Sequence, residues 1–240
     1  MSVQIKADGN ANLIGSLWMI AAMAVFAIED ALIKAVSATL PMGQILIIFG
    51  GFGAAIFALI ARSKGQSLRN PDVLSKPMRI RAGFEITGRL FYFLALAMIP
   101  LSAATVILQA TPLVVVAGAA IVFGEQVGWR RWTAIFIGLA GVLIIIQPGS
   151  DGFSALSILA VIGMLGFAGR DLASRAAPAS LSATVLGVYG FLAVVVAGVA
   201  FSLWDQAPFV RPDSQTAATL LGAILAGVAA YTCLMTAMRT

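Results

Sequence analysis

Histidine is absent from this sequence, which removes imidazole from any proton relay or metal site. Asp and Glu are left as the side chains able to carry protons at membrane depth. There is a single cysteine, Cys233, so no intrachain disulfide can form, and because it lies inside an apolar run it does not report the redox compartment. No GxxxxGK loop occurs, so there is no phosphate cradle for nucleotide hydrolysis. No nucleophile-and-base constellation and no set of metal ligands is recognisable, so neither an enzyme nor a bound cofactor or metal is expected. Charge is scarce as well: 10% of residues are Asp, Glu, Lys or Arg, against 60% hydrophobic. That balance is far from a soluble domain and fits an integral membrane protein whose main contact is the lipid bilayer.

What is present is a series of apolar runs about 20 residues long, the length a helix needs to cross roughly 30 Å of hydrocarbon. Alternating strands of the barrel type are missing, so the expected fold class is an all-α polytopic membrane protein. Eight spans are expected: Leu13 to Val36, Met42 to Ala61, Ile80 to Ile99, Leu101 to Phe123, Trp129 to Ile146, Ala155 to Ala173, Leu181 to Leu203 and Ala217 to Met238. The connection from Arg62 to Arg81 carries Arg62, Lys64, Arg69, Lys76, Arg79 and Arg81 against Asp72, and the next connection on that side carries Arg130 and Arg131. The connections at Pro100, at Pro148 to Asp151 and at Trp204 to Ser214 are nearly free of basic residues. This asymmetry places the basic loops and both termini in the cytoplasm. It also accounts for the net charge of +5 without a nucleic-acid partner.

The chain repeats itself. "FAIEDALIK", Phe26 to Lys34, returns as "FAGRDLASR", Phe167 to Arg175, 141 residues later, and "LALAM" at Leu94 returns as "LMTAM" at Leu234. Five spans separate the copies, an odd number, so the second copy enters the membrane from the opposite side. Inverted repeats of this kind are common in secondary transporters, with the substrate site near the midplane between the halves.

Pro112 in the fourth span, Gly124 and Glu125 after it, and Gly138, Gly141 and Val142 in the fifth resemble the drug/metabolite transporter superfamily, EamA type, across Ala95 to Gly149. The resemblance implies ten helices in two inverted five-helix repeats, a first unit at 1–149 and a second at 150–240. Because the sequence ends at Thr240, it implies that the counterparts of spans four and five are missing, eight of ten helices being present. The wording around "RRW" at Arg130 and around "FAGRDLASR" is similar to the branch that holds S-adenosylmethionine and riboflavin carriers.

Polar residues at membrane depth are the candidates for function, since each charge near a helix centre costs roughly 2.5 to 3.5 kcal/mol unless it is paired or hydrated. Asp30 and Lys34, and their repeat counterparts Asp171 and Arg175, are spaced i,i+4 near helix ends and are expected to form structural ion pairs. Glu29 and Arg170 hold equivalent positions with opposite charge, Glu29 expected near the outer face and Arg170 near the inner one, an asymmetry suited to a zwitterionic, amino acid-like substrate. Glu85 and Arg89 form a third i,i+4 pair with Tyr92 on the same stripe: Arg89 suits a carboxylate or phosphate, and Glu85 an amine or proton. Thr105, Gln109 and Pro112 share one face of span four and are expected to line the cavity. Tyr231 is a candidate stacking platform. Glu125 is expected to pair with the nearby basic residues.

These observations point to a secondary carrier moving a small polar metabolite across a bacterial inner membrane by alternating access, driven by gradients or exchange. Two other readings stay open at this point: an inactive truncated descendant of a carrier, and a non-transporting membrane assembly protein.

Overall fold

A computed structural model describes residues 2–124, 126, 128–146, 155–178 and 180–237. Glu125 and the Pro148–Asp151 connection lie outside them. All regular structure among the described residues is helical: α1 (Ser2–Val36), α2 (Met42–Ser63), a 3-10 turn (Pro71–Leu74), α3 (Lys76–Met98), α4 (Leu101–Leu108), α5 (Thr111–Phe123), α6 (Trp129–Ile146), α7 (Ser157–Arg175), α8 (Ala183–Asp205) and α9 (Ser214–Ala237). Six stretches are long and apolar enough to cross a membrane: Leu13–Val36 of α1, then α2, α4 and α5 taken together, α7, α8 and α9. The chain is an all-α, multi-pass membrane protein. The other two expected spans are helical too, as α3 and α6. What lowers the hydropathy of α3 is its charged side chains, of which Lys76 and Arg79 in the first turn are exposed and Arg81, Glu85 and Arg89 are buried.

Span four, expected as one helix, is two. Pro112 has no N–H to give the Leu108 carbonyl, so the ladder breaks at Gln109–Ala110 and α5 restarts with proline in its first turn. The Thr111 hydroxyl donates to that Leu108 carbonyl at 2.5 Å, replacing the bond that proline cannot make.

Helix ends follow the local chemistry of the sequence. Gly65 at φ 62° lets the chain leave α2, with Gln66 N–H donating to the Ala61 carbonyl. Ser182 accepts from Val185 N–H at the start of α8 and donates to Gln66 Oε1, while Tyr189 donates to the Leu68 carbonyl. The basic connection after α2 is thereby tied to the beginning of α8. At the opposite end of the same two helices, Gln44 exchanges two hydrogen bonds with the backbone of Val210. The Thr216 N–H donates to Asp213 ahead of α9 and holds that carboxyl below the usual aspartate range.

Three antiparallel helix pairs dominate the packing: α2 with α8, α3 with α7, and α1 with α9. Close approach depends on glycine. A Cβ built on Gly50 would lie 2.8 Å from the Phe191 carbonyl oxygen, and one on Gly166 would lie 2.5 Å from the Cα of Gly88. At these points backbone meets backbone, as small residues permit between membrane helices. Phe49, Phe57, Phe191 and Tyr231 form a run of ring contacts through the centre, with centroids 5.4 to 6.0 Å apart. Large apolar side chains such as Leu59, Ile121, Ile144 and Leu203 point outward, as they do when the surrounding solvent is lipid.

Gly166→Ala should push α3 and α7 apart, because the obstacle is backbone and cannot rotate away. A loss of about 1 to 3 kcal/mol is expected, read as a lowered thermal midpoint in detergent. Gly83→Ala, which has nothing within 4 Å of its new methyl group, should leave the midpoint unchanged or slightly raised.

Candidate functional site: a buried ionic network

Helix α3 presents Arg81, Glu85, Arg89 and Tyr92 at i, i+4, i+8 and i+11, a spacing that puts all four on one face. That face is turned inward, and all four side chains are buried. Helix α1 supplies Glu29 and Asp30, α7 supplies Arg170, Asp171 and Ser174, and α9 supplies Tyr231.

Arg89 is the centre. Its Nη1 donates to Glu29 Oε1 at 2.7 Å, and its Nε lies 3.5 Å from Glu85 Oε1. The guanidinium sits within 5.4 to 5.6 Å of the ring centroids of Phe49, Phe93 and Phe167, so its planar faces meet π-clouds while its edge meets carboxylates. Glu85 is also approached by Arg170 and by Arg81, each at 3.6 Å. Arg170 donates from Nε and Nη2 to Asp171 Oδ1 at 2.8 Å and stacks over Phe167 at 4.9 Å. Arg81 donates to the Ser174 hydroxyl at 2.9 Å and to the Tyr231 hydroxyl at 2.5 Å. A Cβ on Gly190 would come within 3.3 Å of the Arg81 guanidinium, so glycine there leaves the room it occupies. Tyr92 donates to Asp30 Oδ2 at 2.7 Å. The network thus joins α1, α3, α7 and α9 away from lipid, which is how intramembrane charges are tolerated.

Six of the candidate cavity residues come together here: Glu29, Glu85, Arg89, Tyr92, Arg170 and Tyr231. Glu29 and Arg170, expected near opposite faces, converge on Arg89 and Glu85, which are one helical turn apart. Two other expectations are corrected. Asp30 does not pair with Lys34: Asp30 takes the Tyr92 hydroxyl, while the long Lys34 side chain reaches the end of α3 and donates to the carbonyls of Leu96 at 2.5 Å and Ile99 at 2.9 Å. Those carbonyls end a helix and have no intrahelical donors, so an ammonium satisfies both them and the dipole. Asp171 pairs with the guanidinium of its neighbour Arg170. Thr105 and Gln109 stand apart from the network. The Thr105 hydroxyl donates back to the Leu101 and Ser102 carbonyls of its own helix, and Gln109 is exposed where α4 ends.

Arg81 and Ser174 escape a reading of the sequence alone. Arg81 counts there as the last basic residue of a cytoplasmic loop. Its spacing of four residues from Glu85 and eight from Arg89 was the available signal, since it extends the same stripe by one turn.

Residues 13–147 match the EamA-like transporter family. The chain is 31% identical over 207 residues to the pseudopaline exporter CntI of Pseudomonas aeruginosa, a match covering 82% of this chain and 68% of that protein. It is 26% identical over 222 residues to a riboflavin transporter of Rhizobium johnstonii, covering 91% and 72%. A shorter match, 28% identical over 80 residues, is to an S-adenosylmethionine uptake transporter of Rickettsia bellii, covering 33% and 28%.

Tyr92→Phe removes the hydrogen-bond donor to Asp30 at a buried position and should destabilise the protein by about 1 to 3 kcal/mol. Tyr189→Phe, whose partner carbonyl at Leu68 lies in a partly exposed connection, should cost less. Thermal unfolding of both variants in the same detergent gives the comparison.

Proposed function

This chain belongs to the EamA-like transporter family, and from that premise we propose that it is a secondary carrier for a small polar metabolite bearing both a carboxylate and an amine. The observation that carries this reading is the buried network of Arg89, Glu85, Glu29 and Arg170, which offers opposite charges a few ångströms apart where helices from the two ends of the chain meet. Binding there is an exchange of partners. A substrate carboxylate takes an Arg89 or Arg170 guanidinium from its carboxylate, and the carboxylate so released takes the substrate amine, so no charge is left unpaired in a dry site.

Alternating access follows from two inverted units, residues 1–149 and 150–240. The pairing of helices supports it. The 141-residue offset carries α1 onto α7, α2 onto α8 and α3 onto α9; under that exchange the α3–α7 contact becomes α9–α1, and α2–α8 becomes itself. A two-fold relation in the membrane plane requires that pattern, and rocking one unit against the other opens the network to each side in turn. The basic connection after α2 sits beside the start of α8, away from the Gln44–Val210 contact. With lysine and arginine retained inside, this favours a bacterial inner membrane and a cytoplasmic N-terminus.

In whole cells, Ser67→Cys should react with a membrane-impermeant maleimide only after lysis, and Phe209→Cys should react without it. The reverse pattern would invert the topology.

Uptake and export of riboflavin, S-adenosylmethionine and pseudopaline, the molecules named for the relatives, provide a first panel. S-adenosylmethionine or pseudopaline should show saturable, chain-dependent flux, whereas riboflavin, which has no carboxylate, should not; flux of riboflavin alone would overturn the carboxylate-and-amine reading. Arg89→Lys keeps the charge but loses the forked geometry, and should cut that flux on the order of tenfold or more. Flux at the wild-type rate in Arg89→Lys would remove the network from the substrate path.

A further inference from the structure

The seam between α3 and α8 is hollowed. A groove of about 220 Å³ runs along it, lined by Arg81, Ala82 and Ile86 of α3, Tyr189 and Val196 of α8, and Val73 of the 3-10 turn. Its two polar residues are already committed. Tyr189 donates to the Leu68 carbonyl, and Arg81 spends Nε on Ser174 and Nη2 on Tyr231. The rest of the lining is apolar. The groove is smaller than the roughly 300 to 1,000 Å³ of ordinary small-molecule sites, so its shape and chemistry suit a stretch of hydrocarbon chain rather than a polar solute.

Its direction fits one lipid leaflet. Met78 and Ile86, its limits on α3, are about 12 Å apart along the helix axis, most of the half-thickness of a core roughly 30 Å deep. One end lies under the basic connection, where Val73 forms part of the lining and the Ser180 hydroxyl donates to Asp72. The other end opens sideways past Val196, which is 55% exposed, onto the lipid-facing surface.

The connection also supplies charge at the mouth. Arg69 follows Leu68, whose carbonyl the groove residue Tyr189 holds. Arg79 precedes Ile86 by seven residues, two turns along the same face of α3. Both are exposed, and no carboxylate among the described residues pairs with either. Asp72 is the one acidic residue from Arg62 to Arg81. A hydrocarbon slot ending at two spare guanidiniums is complementary to an amphiphile with a negative head.

We propose that this groove binds a phospholipid with an anionic headgroup, one acyl chain lying between α3 and α8 and the phosphate held by Arg69 and Arg79. Three elements enclose the chain, which sets it apart from lipid that only touches convex helix surfaces. Arg81 is a wall of the groove and a member of the ionic network, so the bound chain packs against the turn of α3 that anchors α7 and α9. The site is independent of what the protein carries.

The test uses the purified, delipidated full chain in detergent, with phosphatidylglycerol, phosphatidylcholine or glycerol 3-phosphate added and the thermal midpoint followed. A ligand of the folded state raises the midpoint, so phosphatidylglycerol should raise it well above the level reached with phosphatidylcholine, and glycerol 3-phosphate should leave it unchanged. The double variant Arg69→Gln with Arg79→Gln should need on the order of tenfold more phosphatidylglycerol for half the shift. Arg62→Gln with Lys64→Gln removes the same charge at the end of α2, outside the groove lining, and should respond as the wild type does. Ala82→Leu fills the groove and should lose the response while keeping its lipid-free midpoint. Equal shifts with both phospholipids, or equal losses in the two double variants, would reduce the groove to ordinary lipid contact and overturn the proposal. A shift with glycerol 3-phosphate would overturn it in favour of a free phosphate ester.

Discussion

Everything in this fold is arranged around the need to keep Arg89 paired in a place without water. A guanidinium in hydrocarbon must find carboxylates and ring faces, and here it finds Glu29, Glu85, Phe49, Phe93 and Phe167. Each partner comes with a helix. Glu29 brings α1, Phe49 brings α2 and Phe167 brings α7. Removing one member of such a buried set costs about 3 to 5 kcal/mol, because the partner charge is left behind uncompensated. The helices are therefore held by two different forces: dispersion where glycines let backbones touch, and charge where α3 faces α1 and α7.

The two forces depend on each other. The 3.6 Å approach of Arg170 to Glu85 is reached because Gly88 and Gly166 allow α3 and α7 to lie backbone to backbone. Bulkier side chains at that crossing would move Arg170 away from Glu85. Charges that fail to meet in a membrane interior are penalised at once, so the glycines and the ionic network stand or fall together.

Much of this was legible in the sequence. Apolar run lengths placed the helices, and the i,i+4 spacing on α3 marked Glu85, Arg89 and Tyr92 as one stripe. The copied segments identified Glu29 and Arg170. Other features were not legible, because they depend on which helices become neighbours. Lys34 and Asp30 have the spacing of an ion pair, yet the last carbonyls of α3 and the Tyr92 hydroxyl compete for them, and both competitors are more than 60 residues away in the chain. Arg81 reads as a loop cation until Ser174 and Tyr231 are seen to surround it. Thr105 and Gln109 follow a polar stripe on a helix that Pro112 interrupts, which disperses the face they were expected to form.

The composition of α3 also bears on how the protein is made. A helix with Arg81, Glu85 and Arg89 on one face does not enter lipid favourably by itself, at roughly 2.5 to 3.5 kcal/mol per charge. During synthesis Glu29 has already emerged and can meet Arg89, but Arg170, Ser174 and Tyr231 are added only later. Helix α3 therefore leaves the ribosome with half its partners, and its stable residence in the bilayer must wait until α7 and α9 have been translated. Insertion of this chain is completed out of sequence order, with an early helix depending on late ones.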